Sequence, residues 1–194
     1  MGRVKRGEAL GIPYLLLASS SLGREADLFS IPARNNALCR AFFGEASQKE
    51  IRYTSEGRPY LRRVGDLSLS HKNEDFFLCA EKGEGFLVGC DIEDLSQHRS
   101  WGTFRKALTT DEVELFSALS ERLPKAMALL IPFSWKECLW KAVGLRGNGL
   151  RISEVHGTVS GVHAKIFDFD QPVGEVVAWV DDGLLMSLCK LELS

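Results

Sequence analysis

The sequence predicts an α+β fold of two similar lobes, each an antiparallel sheet with helices, facing each other across a cleft. Three observations predict it. Strand-like and helix-like segments occur in both halves, in an order that reads as a pseudo-repeat of elements without a repeat of sequence. The strand-like runs are short and are separated by turns rich in Gly, Asp and Pro, the pattern of antiparallel hairpins. The length, 194 residues, suffices for one domain or for two small lobes sharing a core. The expected division is residues 1–98 for the N-terminal lobe and 99–194 for the C-terminal lobe, in one compact unit. The cleft between two such lobes is the natural ligand site.

The elements follow in order. The apolar run Ile12 to Ala18 reads as the first strand. Arg3, Lys5 and Arg6 before it give a loose likeness to a targeting segment, but the run is short, contains Pro13 and follows Glu8 and Gly11. Residues 32–46 read as a helix, with Pro32 in its first turn and Leu38, Phe42 and Phe43 as its apolar stripe. Ile51 to Tyr53 is a short strand, and Ser55-Glu56-Gly57-Arg58-Pro59 a turn. Leu67 to His71 alternates and reads as a strand ending on polar residues; Phe76 to Glu81 and Phe86 to Glu93 read as two more. Residues 99–107 are expected to be helical. Thr109 followed by Glu112 has the spacing of a capping box and opens another helix. Residues 134–143 form a further helix with Trp135, Leu139, Ala142 and Val143 on its apolar face, stopped by the glycine-rich stretch 144–149. Gly157 to Phe169, Glu175 to Val180 and Leu184 to Leu191 read as strands, with turns at 170–172 and 181–183.

Bulk properties narrow the function. The chain is 45% apolar and 26% charged, with a formal net charge of -2. It therefore has no global attraction for nucleic acid or an acidic membrane, and phosphate recognition must come from local lysines and arginines. No run reaches membrane-spanning length. The five cysteines form no CxxC pair and match no zinc spacing, which suggests reduced, buried thiols in a cytoplasmic protein.

The residues that carry chemistry lie in two stretches. In Gly89-Cys90-Asp91-Ile92-Glu93 the two carboxylates at i and i+2 point to one face of a strand. In Phe133-Ser134-Trp135-Lys136-Glu137-Cys138-Leu139-Trp140-Lys141-Ala142, Glu137 and Lys141 lie one helical turn apart, off the apolar face. Taken alone, an Asp-x-Glu is a solvated pair and Glu137 with Lys141 an exposed ion pair. Three hard oxygen donors with lysines beside them, however, suit Mg²⁺ holding a polyphosphate, and hence phosphoryl or pyrophosphate chemistry. Trp140 is either lobe packing or a pocket wall. The stretch 144–149 lacks the Lys-Ser/Thr of a phosphate-cradling loop.

Gly57-Arg58-Pro59, then Leu67-Ser68-Leu69-Ser70-His71, then the two stretches above, occur in one order. This order resembles the 4′-phosphopantetheinyl transferase superfamily, in the larger single-chain group that serves siderophore and peptide synthetases. The resemblance spans residues 57–142. It implies Asp91, Glu93 and Glu137 as the carboxylates that coordinate Mg²⁺, and Lys136 and Lys141 as the lysines near the coenzyme A pyrophosphate. It implies Ser70 and His71 as contacts to the coenzyme's phosphates, and Arg58 as the basic residue near the adenine and 3′-phosphate. Arg34 is the first-helix basic residue expected at the 3′-phosphate, and Glu112 resembles a further family acid. The implied reaction moves 4′-phosphopantetheine from coenzyme A to a serine of an apo carrier protein and releases 3′,5′-ADP. Glu137 and Lys141 are its expected catalytic residues, with either Glu137 or a metal-held water as base. The alternatives are a Mg²⁺-dependent hydrolase of the same pyrophosphate and a non-catalytic module that binds coenzyme A or a carrier. The expected protein is a monomer, with no nucleic-acid or membrane partner. Arg99, Arg105 and Lys106 are candidates for docking an acidic carrier, and equally a solvated helix face.

Overall fold

The chain opens on a hairpin whose first strand has no apolar face to betray it. Strand β1 (Val4–Ala9) is mostly exposed and carries Lys5, Arg6 and Glu8; it pairs antiparallel with β2 (Ile12–Ala18), which is largely buried. The turn between them places Leu10 and Gly11 at positive φ, as a two-residue hairpin connection requires. The sequence pattern marks only β2, because a polar edge strand has no hydrophobic period. The computed structural model describes residues 3–22, 31–44, 51–55, 58–61, 65–83, 85–97, 102, 105, 109–144 and 149–192.

Helix α1 (Ile31–Phe43) stops at Gly44, whose φ is +98°. It lays Leu38 and Cys39 on a first sheet that also contains β3 (Ile51–Tyr53), β4 (Pro59–Leu61), β5 (Gly65–Lys72) and β6 (Asp75–Ala80). The order is β1-β2-β6-β5-β4-β3 and neighbouring strands pair antiparallel. Part of the expected turn at 55–59 is strand: Pro59 opens β4 opposite Tyr53, while Glu56 and Gly57 lie outside the described residues.

The second lobe is a five-stranded antiparallel sheet, β7-β11-β10-β9-β8, backed by helices α2 (Thr110–Ser120) and α3 (Lys125–Val143). Its strands are β7 (Phe86–Asp94), β8 (Leu150–Thr158), β9 (Gly161–Asp168), β10 (Gln171–Asp181) and β11 (Leu184–Glu192). Two expectations change here. Gly157 to Phe169 is not one strand: β8 ends at Thr158 and β9 begins at Gly161, a hairpin. Helix α3 starts at Lys125, nine residues before the expected 134, because Met127 to Pro132 is buried throughout and so shows no amphipathic period. The capping box on α2 is present: Thr109 N–H donates to Glu112 Oε2 at 2.6 Å, and Glu112 N–H donates back to Thr109 Oγ1 at 3.4 Å. The helix expected over 99–107 lies outside the described residues apart from Gly102 and Arg105, as do Arg99 and Lys106.

The lobes therefore resemble each other in plan, sheet plus helix. The sheets divide between β6 and β7, upstream of residue 98, because β7 bonds to β11 in the second sheet. That makes β7 an edge strand buried between the lobes, with N–H groups that need partners. Strand β5 of the first sheet supplies them with every second side chain. Asp66 Oδ2 accepts from Val88 N–H at 2.7 Å, and Ser68 Oγ accepts from Cys90 N–H at 2.9 Å. The next residue in that stripe, Ser70, donates to Asp91 Oδ1 at 3.0 Å. Around this seam Ile12, Leu16, Phe77 and Cys79 of the first lobe pack with Val88, Cys90, Ile92, Met186 and Leu188 of the second in one core. At its rim Arg3, just before β1, and Lys5 of β1 pair with Asp182 and Asp181 at the β10–β11 turn.

All five cysteines are buried and free, as expected. Burial pushes the Cys138 thiol up, and the Cys189 thiol up to about 12, so neither is a nucleophile at neutral pH. Among the described residues no helix is long and apolar enough to cross a membrane.

Candidate functional site

Helix α3 crosses β7 at Gly89, and the approach needs glycine. A Cβ at that position would lie 1.9 Å from the carbonyl oxygen of Cys138. The close crossing brings Ser134, Glu137 and Lys141, which recur at i, i+3 and i+7 on α3, toward the strand that carries Asp91 and Glu93. Asp91 and Glu93 are both buried.

Asp91 sits at the centre of a polar network. Lys141 Nζ donates to Asp91 Oδ1 at 2.8 Å, to Ser70 Oγ at 2.8 Å and to the Cys90 carbonyl at 3.0 Å, which uses all three ammonium protons. Ser134 Oγ donates to Asp91 Oδ2 at 2.9 Å, and Ser187 Oγ lies 2.8 Å from Ser134 Oγ. Burial, the largest single influence, would lower the Lys141 pKa; the charge and hydrogen bond of Asp91, together with smaller contributions from Cys90 and Cys138, more than offset it and hold the ammonium above its usual value. Lys141 is thus a fixed cation at neutral pH. Glu93, two residues on, is paired with Lys72 of β5, Nζ to Oε2 2.8 Å.

Glu137 is half-buried, and its carboxyl is raised above the ordinary value. Burial is the main cause; the Asp91 and Glu93 carboxylates add to it, while Lys141 and Lys136 oppose it. The three acids therefore feel one another across the α3–β7 crossing. Among the described residues, however, no three His, Cys, Asp or Glu side chains are grouped as a metal centre. The donor chemistry is that of a hard divalent cation, which takes carboxylate oxygens and keeps waters or substrate oxygens for the rest of its shell. In this structure the two strand acids hold ammonium groups.

Among the described residues two clefts flank α3. The first, about 490 Å³, is lined by Arg34, Arg58, Ser68, His71, Trp140 and Lys141 together with Tyr53 and Leu87. It is basic, as an anionic nucleotide requires. Arg34 lies with its guanidinium 5.9 Å from the centre of the Phe76 ring, and its Nε is buried without a hydrogen-bond partner among the described residues. His71 stacks on the same ring at 6.1 Å. Burial lowers the His71 pKa, and the charges of Arg34, Lys141 and Lys72 lower it further, so at neutral pH it is a neutral imidazole. Arg58 has a structural duty as well. It bonds the buried Asp66 carboxylate and donates from Nε to the Lys141 carbonyl at 3.1 Å.

The second cleft, about 760 Å³, lies between α2, α3 and β8 and is lined by Glu112, Leu115, Phe133, Lys136, Glu137, Trp140, Leu150 and Ile152 among others. Lys136 Nζ is 3.1 Å from Glu112 Oε2, so these two motif residues meet each other at its wall. Trp140, 55% exposed, lines both clefts and is a pocket wall, while Trp135 is core.

The structure thus gathers Arg34, Arg58, His71 and Lys141 on one cleft, Lys136 and Glu137 on the other, and Ser70, Asp91 and Glu93 in the seam between lobes. Sequence reasoning gave no role to Ser134 or Lys72. Ser134 had a signal, since it precedes Glu137 and Lys141 on one helical stripe; Lys72 had none beyond adjacency to His71.

Residues 87–179, just under half of the chain, match the family model of the 4′-phosphopantetheinyl transferase superfamily. The match covers Asp91, Glu93, Glu112, Lys136, Glu137 and Lys141, and it bears out, at the level of the superfamily, the resemblance carried by the motifs. Phosphopantetheinyl transfer is the general activity it supports. Curated proteins gave no match.

Proposed function

From that superfamily as premise, we propose that this chain transfers 4′-phosphopantetheine from coenzyme A to a serine hydroxyl of an apo carrier protein, releasing 3′,5′-ADP. The observation that carries the reading is the buried Asp91–Lys141–Ser70 network, set between a basic cleft and a cleft lined by Glu137. The nucleotide end of coenzyme A would occupy the basic cleft. Arg34, whose Nε is buried with no hydrogen-bond partner among the described residues, and the neutral His71 N–H would hold its phosphate oxygens.

Asp91, Glu93 and Glu137 are the residues that would hold Mg²⁺. When bound, the ion would supply charge neutralisation at the diphosphate. Lys141 would add a fixed positive charge beside the leaving phosphate. In the reaction the serine oxygen bonds to the phosphorus that carries pantetheine. The bond from that phosphorus to the oxygen of 3′,5′-ADP breaks, and the serine proton passes to a base. Glu137 suits that role because burial raises its proton affinity and its side chain faces the second cleft. The pantetheine arm would run past Trp140 toward the same cleft. We read the protein as a cytoplasmic monomer, with buried thiols that suit a reducing compartment.

The experiment is incubation with apo carrier domains, coenzyme A and Mg²⁺, followed by mass spectrometry of the carrier. The reading expects a phosphopantetheine mass gain with an equal amount of 3′,5′-ADP. No gain on several different carriers overturns it. Free phosphopantetheine formed without a carrier would mark a hydrolase, and tight coenzyme binding without turnover a binding module.

A further inference from the structure

Lys72 ends β5, one residue beyond His71, and belongs to none of the motifs. Its side chain is only 18% exposed, and its Nζ lies 2.8 Å from Oε2 of Glu93, itself 8% exposed. Lysine is seldom so covered unless it is paired. Each strand acid at the seam thus carries its own ammonium: Lys141 from α3 on Asp91, and Lys72 from the other lobe on Glu93. A divalent cation bound through that oxygen of Glu93 would stand within a few ångströms of a fixed like charge. The charge of Lys72 also reaches His71, at the lining of the basic cleft. A lysine stem has enough rotatable bonds to move its head from one anion to another nearby.

We propose that Lys72 is a built-in counter-ion that occupies Glu93 in the resting protein and makes divalent-metal binding conditional on the diphosphate substrate. Arrival of the diphosphate gives the displaced ammonium a new anionic partner, and Glu93 becomes free to bind the metal. Metal and coenzyme then bind cooperatively, since each offers the other a partner that Lys72 otherwise blocks. The inference rests on the reading of Asp91, Glu93 and Glu137 as the metal-holding acids.

The test titrates metal-stripped protein with Mn²⁺ by calorimetry, with no carrier present, in the absence and presence of coenzyme A. Wild type should bind Mn²⁺ weakly alone and more tightly with coenzyme A. Lys72→Met should bind Mn²⁺ alone about ten- to a hundredfold more tightly, the range set by a lost charge-assisted hydrogen bond. Its gain from coenzyme A should shrink, while Lys72→Arg should keep wild-type behaviour. Equal wild-type affinity for Mn²⁺ with and without coenzyme A overturns the inference, and needs no variant. So does a folded Lys72→Met with unchanged Mn²⁺ affinity, and if it also binds coenzyme A more weakly by calorimetry, Lys72 is a plain phosphate contact. If the Mn²⁺ affinities shift as expected while no carrier is ever loaded, the transfer reading falls and the role of Lys72 stands.

Discussion

Gly89→Ala is the substitution for which the structure gives the sharpest expectation. The added Cβ would lie 1.9 Å from the Cys138 carbonyl oxygen and 2.7 Å from its carbon, and both are backbone atoms that no rotamer change can move. Real contacts of this kind do not fall below 3.0 Å, so α3 must retreat from β7 by roughly 1 Å or the strand must buckle. Overpacking of this sort costs about 1–3 kcal/mol. The same retreat lengthens the 2.8 Å Lys141–Asp91 and 2.9 Å Ser134–Asp91 hydrogen bonds beyond useful range. A misplacement of about 1 Å between catalytic groups can cost about a hundredfold in rate. Urea denaturation and carrier-loading rates, measured on the same preparation, should therefore both fall. A Gly89→Ala protein that unfolds and loads carrier like wild type would refute the reasoning, because the strand–helix approach would then not set the site.

Three further outcomes are expected. Ser134→Ala strips Asp91 Oδ2 of its donor in a buried setting and should destabilise by about 1–3 kcal/mol in urea melts. Glu137→Gln should abolish carrier loading yet slightly stabilise the fold at neutral pH. Because the folded-state pKa of Glu137 is raised, wild-type stability contributed by this group is present below the ordinary glutamate pKa and is lost as pH rises through the raised value. The variant's advantage, below about 1 kcal/mol because the carboxyl is half-exposed and screened, should thus appear at pH 7 and vanish near pH 4 in thermal melts. Arg58→Ala leaves the buried Asp66 carboxylate without its cation and should cost about 3 kcal/mol at pH 7. The deficit should shrink at lower pH, since burial already pushes the Asp66 carboxyl up and protonation relieves it.

What the sequence disclosed follows from which residues carry a period. The two-lobed α+β plan was legible in the alternation of Leu67 to His71 and in the turn residues around the later strands. Strand β1 was not, because its charged residues face water, and the start of α3 was not, because Met127 to Pro132 is buried throughout. The end of β8 and β9 run together as one strand over Gly157 to Phe169 in the sequence because Val159 and Ser160 make a short turn without the usual Asn-Gly or Asp-Gly signal, and the earlier part of β8 goes unmarked. At the site, the common face of Asp91 and Glu93 follows from strand geometry alone, and the helical stripe of Glu137 and Lys141 from spacing. Their partners do not follow: the pairing of Lys72 with Glu93 and of Arg58 with Asp66 depends on how two sheets meet at β5 and β7. The stripe Asp66, Ser68 and Ser70, which looks like the polar face of a strand, is in fact the seam that satisfies the edge of β7.

The most direct test of the account compares wild type with Asp91→Asn, each shown to be folded by its melting profile, in loading an apo carrier from coenzyme A with Mg²⁺ or with a chelator. The account predicts carrier loading by wild type with Mg²⁺ alone, and none by Asp91→Asn under either condition. Loading by a folded Asp91→Asn protein at the wild-type rate, or by wild type in the presence of chelator, would contradict it.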